Sequence, residues 1–248
     1  MGISYREDDD LAFLQYCTEE DIRLLGEYLI YDKDNEERIA SEILSNESFK
    51  QLYGRPDKWR KSWKLIAGEL QHFGGDSVVN LFRGKGVLYK EILSDVCDKL
   101  SVKYRKNSSA YDIENLLIEK LTELSWEKMS AKEKEKVLDS MNIPDGFAGS
   151  PLAFIIASIK AGGIGSFQWS SWLAQSASLA FGHAALSGLS LGAAATFVGS
   201  RGVAAFAGPL AAIVVTVPLI SGAAYRVTMP SVIQISYMRR KYEQEERF

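Results

Sequence analysis

The 248-residue sequence predicts an all-α fold, a helical N-terminal domain followed by a Gly/Ala-rich apolar helical hairpin. Three observations carry that expectation. Apolar residues recur at spacings of three and four behind capping residues, and no stretch sustains the period-two alternation of a strand. Charge divides the chain, because residues 1–145 hold 29 acidic against 22 basic side chains and residues 146–248 hold 3 against 7. From Gly146 to Tyr242 there is no Asp or Glu, and between Ala161 and Arg226 only Arg201 carries a formal charge.

In DDDLAFLQYCTEEDIRLLGEYL, the spacing of Leu11, Leu14, Ile22, Leu25 and Leu29 predicts two short helices, about 8–17 and 19–30, with Thr18 as N-cap and Asp21 as its N3 partner. NEERIASEILSN reads as another helix. RPDKWRKSWKLIAGELQHF reads as a longer one, with Pro56 near its first turn and Trp59, Trp63, Ile66 and Leu70 on one face. Gly84 and Gly86 divide the next periodic stretch into two helical pieces. SSAYDIENLLIEKLTELSWEKMSAKEKEKVLDSM then supplies two helices capped by Ser109 and Ser130. Pro144, Gly146, Gly149 and Pro151 mark a junction at the charge break. The organisation expected is therefore a short helical region over 1–34, a helical domain over 35–145 and an acid-free apolar region over 146–248.

Two uncharged segments flank Arg201. The second, GVAAFAGPLAAIVVTVPLISGAAY, has 24 residues, enough to cross a hydrocarbon layer of roughly 30 Å at about 1.5 Å per residue. The first approaches spanning hydropathy only over Leu179 to Val198. Ala184, Gly188 and Gly192 form one small-residue stripe, and Ala204, Gly208 and Ala212 form a second. Such stripes let helix backbones approach closely in lipid, which predicts a tight hairpin with Arg201 at its tip. MRRKY at 238–242 supplies the positive flank expected to stay cytoplasmic, so two crossings with both ends inside is the simplest count. A buried hairpin in a water-soluble or oligomeric protein uses the same small residues.

The segment AGELQHFGGDS concentrates Gly68, Glu69, His72, Gly74, Gly75, Asp76 and Ser77. Glu69 and His72 stand three apart on one helical face, the spacing of a di-iron Glu-x-x-His pair. A di-iron site needs two such pairs and two more glutamates, while the only other histidine is His183. Glu69, His72 and Asp76 are the sole candidate metal ligands, and neither metal nor cofactor is expected. No nucleophile arrangement or phosphate loop accompanies the pair, so no enzyme is expected. The segment reads more simply as a helix corner, with Gly74 or Gly75 ending one helix in the left-handed conformation and Asp76 or Ser77 capping the next. Lys58, Arg60, Lys61 and Lys64 read as a solvated helix face, so no nucleic acid is expected. Cys17 and Cys97 have no metal or disulfide spacing, and the N-terminus lacks a signal-peptide pattern, which suits a cytoplasmic first half.

WKLIAGELQHFGGDSVVNLFRGKGVLYKEILSDV and SGAAYRVTMPSVIQI resemble the bacterial YaaW-type proteins of the UPF0174 family. YREDDDLAFLQYCTEEDIRLL is similar to the short N-terminal domain of unknown function, of DUF3944 type, that accompanies them. The family's middle region is in turn grouped with the ubiquinol-cytochrome c chaperones, which implies a chaperone-like helical binding module over 35–145. It carries no catalytic residues to transfer. The expectation is a non-enzymatic, membrane-associated helical protein at the bacterial inner membrane, peripheral or integral. Its partners would be another protein, the membrane and, as a homo-oligomer, further copies of itself. The alternative is a conditional pore-former, a stress or defence effector whose acidic domain stores the hairpin until it is triggered.

Overall fold

The computed structural model describes residues 3–32, 34–73, 86–141, 149–180, 208–209 and 224–245. The fold is all-α, and among the described residues the only strand-like pairing is one antiparallel bridge between Tyr31 and Glu37. A 3₁₀ helix over Ala12–Tyr16 precedes α1 (Glu19–Ile30), α2 (Glu47–Lys50), α3 (Lys58–Lys61), α4 (Trp63–Phe73), α5 (Tyr89–Lys99), α6 (Ala110–Lys128), α7 (Ala131–Ser140), α8 (Pro151–Lys160), α9 (Gly163–Ala180) and α10 (Tyr225–Glu245).

The expected caps are in place. The Thr18 hydroxyl accepts from the Asp21 amide, Ser109 from that of Asp112 and Ser130 from that of Glu133. The latter two form reciprocal capping boxes, so two of each helix's four orphan N–H groups are satisfied locally. The expected helix over residues 35–46 is absent. Asp32 Oδ1 instead accepts the amides of Asp34 and Glu36, Asn35 takes a positive φ of 65°, and Arg38 N donates back to Ile30 O. An aspartate that binds the backbone just after it offers the chain a turn in place of a helix. The expected long helix through Trp59 and Trp63 is broken at Ser62 into α3 and α4, with Ser62 Oγ donating to Lys58 O.

Helix α10 is central, contacted by the 3₁₀ helix and by α1, α4, α5, α6 and α9. Every residue from Val227 to Ser236 is buried, as for a helix surrounded on all sides. Its most extensive neighbour is α9. Phe167 stacks on Tyr237 at 5.9 Å and Ser166 accepts from Arg240 at 2.8 Å, so the start of α9 meets the end of α10 and the two run antiparallel. Ala180 and Tyr225 therefore lie toward the same end of the pair. At the other end Gly162 and Gly163, with φ of 71° and 60°, make the turn from α8.

Among the described residues no single helix is long and apolar enough to cross a membrane. Pro151–Lys160 and Gly165–Ser178 together have the length and composition, but they are bent by 107°.

Candidate functional site

Glu69 and His72 occupy the last two turns of α4, yet they differ in burial. Glu69 is 2% exposed, whereas His72 is exposed. Gly68 explains how the carboxylate is covered. A Cβ there would meet the Tyr5 backbone nitrogen at 3.1 Å and Ile3 Cγ2 at 3.0 Å, so the N-terminal segment lies directly on the helix. Gln71, fully buried, clamps that segment by accepting from Arg6 N and donating to Arg6 O, each at 2.9 Å.

A hollow of about 180 Å³ opens beside Glu69, and its described lining is Ile3, Ala40, Glu42, Glu69, His72 and Phe73. Glu69 Oε1 accepts the Glu42 amide at 3.0 Å. Burial outweighs that bond and, with the neighbouring Glu42 charge, raises the Glu69 carboxyl to about 7. The hollow thus presents a carboxyl that exchanges its proton near neutrality. Neither cysteine serves it as a nucleophile, since Cys17 and Cys97 are both buried and burial raises their thiols to about 12.

A second constellation lies in the core. Glu114, fully buried on α6, accepts the Tyr89 hydroxyl at 2.8 Å, Arg239 Nε at 3.1 Å and Arg240 Nη1 at 3.0 Å. Arg240 also donates to Asn115 Oδ1 at 2.7 Å, to Ser166 Oγ and to Ser236 O, and its guanidinium lies 4.7 Å from the Tyr111 ring centroid. Arg239 reaches Asp10 O, and Lys241 pairs with Asp21 at 2.6 Å. The three consecutive cations that read as a membrane-flanking cluster are therefore bound to carboxylates and a carbonyl of the acidic half. The pattern of a helix face does not reveal this network. Its one sequence signal is complementarity, an acid-free region whose cations gather at 239–241 beside a domain rich in acids.

Of the other corner residues, Gly74, Gly75, Asp76 and Ser77 lie outside the described residues, as do the hairpin residues Ala184, Gly188, Gly192, Ala204 and Ala212. Gly208 is described. It is exposed, and a Cβ there would be 4.0 Å from Glu133 Oε1. Among the described residues no three His, Cys, Asp or Glu side chains are grouped to hold a metal ion. Lys58 lies within 5.0 Å of the ring centroids of Phe49, Tyr53 and Trp59, so this lysine of the expected solvated face covers aromatic rings.

Residues 5–39 match the model of a domain of unknown function, DUF3944. The chain is 37% identical to the UPF0174 protein YaaW of Escherichia coli (strain K12) over 97% of both chains. It is 33% identical to a UPF0174 protein of Helicobacter pylori (strain J99) over 98% of this chain and 95% of that one, and 36% identical to another from the same strain over 79% of this chain and 95% of that one. No solved structure matches the chain.

Proposed function

The chain belongs to the UPF0174 family, and on that premise we propose that it is a non-enzymatic, membrane-associated helical protein that binds another protein through its acidic half. The observation that carries the reading is the antiparallel pairing of α9 and α10. It directs both ends of the stretch between them, whose only formal charge is Arg201, toward one end of the helical body. A segment that leaves and returns at one point suits two crossings with both flanks on the same side of the bacterial inner membrane. The Arg239, Arg240 and Lys241 pairs fasten its second flank to the acidic half, where a chaperone-like or assembly partner would dock. Carbonate washing of membranes from cells expressing the full chain tests the anchor. Retention in the membrane pellet is expected, and complete extraction into the soluble fraction rejects it.

A second reading is favoured by α9 itself, whose Ser166, Ser170, Ser171, Ser176 and Ser178 are all buried in the helical body. An arm so rich in hydroxyls suits storage in protein better than permanent contact with lipid. On this reading the hairpin inserts only when triggered and the protein forms pores as a stress or defence effector. Dye release from liposomes by the full chain, across pH and lipid composition, supports it; no release under any condition rejects it.

A further inference from the structure

The hollow beside Glu69 holds the least compensated buried carboxylate among the described residues. Glu114 meets two arginines, Asp21 meets Lys241, and Glu27 meets Arg23. Asp8 accepts the Asp10 and Tyr89 amides on its two separate oxygens. Glu69, equally buried, accepts the Glu42 amide and meets no cation among the described residues. Beside it the buried Ser41 hydroxyl is turned to Glu69 and lowers its carboxyl as a donor, against the larger effect of burial. A buried charge ordinarily has a charged partner, and among the described residues this corner has none.

The hollow has room for such a partner. Its volume of about 180 Å³ is several times the roughly 30 Å³ that a water molecule occupies in the liquid. Of its described lining, Ile3, Ala40 and Phe73 are apolar, Glu42 and Glu69 are acidic, and His72 is the remaining titratable group. An ammonium group carries three donors and no acceptor, and two carboxyl groups, Glu42 and Glu69, stand together here. We propose that the hollow binds a primary ammonium group on a short apolar chain, with Glu69 and Glu42 accepting its N–H donors and Ile3, Ala40 and Phe73 covering the chain. A neutral ligand would gain nothing from ionising Glu69, and an anionic one would be repelled by Glu42. Binding selects ionised Glu69, so it is accompanied by proton release below neutrality. The inference is independent of membrane attachment.

Calorimetric titration of the full chain with n-butylammonium chloride tests it, in two buffers of different ionisation enthalpy that contain no primary amine. Saturable binding at about millimolar concentration is expected, as befits so small a ligand. Glu69→Gln should weaken it about tenfold or more, and n-butanol, of the same shape without the charge, should bind as weakly to the wild type. Glu69→Gln keeps the acceptor for the Glu42 amide, and its thermal unfolding shows whether it folds. Should it fail to fold, Glu42→Gln on the exposed wall takes its place, with a severalfold loss expected. Equal affinity of wild type and folded variant, equal affinity for butanol, or no saturation overturns the proposal, as does proton uptake on binding at pH 6.

Discussion

Arg240 and Glu114 lie 126 positions apart in the chain and meet at 3.0 Å, with 2% and 0% of their side chains exposed. The pair joins the acid-free half of the chain to the acidic half, and Arg239 adds a second guanidinium to the same carboxylate.

Glu114→Gln therefore leaves the buried Arg240 and the half-buried Arg239 without their shared counter-charge, whereas Arg240→Ala leaves Glu114 still paired with Arg239. Breaking a buried pair at one partner typically removes about 3–5 kcal/mol. Denaturant unfolding should place Glu114→Gln toward the top of that range and Arg240→Ala below it. Equal unfolding midpoints for wild type and Glu114→Gln would show that the network contributes no stability.

Glu69 makes stability depend on pH with a defined sign. Its carboxyl is raised from 4.5 to about 7 in the folded chain, so over that interval the folded state binds more protons than the unfolded one and stability falls as pH rises. The contribution is fully present below about pH 4.5 and lost through about pH 7. Each tenfold gain in proton affinity is worth about 1.4 kcal/mol, so the whole contribution is at most about 3.5 kcal/mol. Unfolding free energies from pH 4.5 to 8 should show this fall in the wild type, and a smaller one in Glu69→Gln. Parallel profiles refute it.

Gly68→Ala tests the seat of the N-terminal segment. The added methyl would lie 3.1 Å from the Tyr5 backbone nitrogen, and overpacking of this kind costs about 1–3 kcal/mol. Hydrogen exchange should report it locally, because the Arg6 amide, bonded to Gln71 Oε1, loses protection before the amides of α6 do. Unchanged Arg6 protection would place the segment elsewhere.

The proposed membrane hairpin has its own packing test. On that proposal, replacing Gly188 with Leu raises hydropathy but forces apart two backbones expected to meet through small residues, at about 1–3 kcal/mol. Thermal unfolding in detergent should separate Gly188→Leu from Leu189→Ile, which keeps volume and apolarity. Equal melting rejects the close-packed hairpin.

What the sequence by itself determined is local in origin. Helical periodicity placed α1, α6 and α7, and Thr18, Ser109 and Ser130 marked their starts, because a cap acts through amides two or three residues away. The charge break was equally plain in composition. Only the tertiary structure decided the rest. It turned residues 35–46 into loops, through the Asp32 side chain and the return of Arg38 to Ile30. It also buried Glu69 while leaving His72 exposed, since three-residue spacing says that two side chains are neighbours and not which of them an N-terminal segment will cover. The Glu114 network likewise depends on α5, α6, α9 and α10 converging. Burial is set by whichever distant element arrives, and the sequence around a residue carries no record of its arrival.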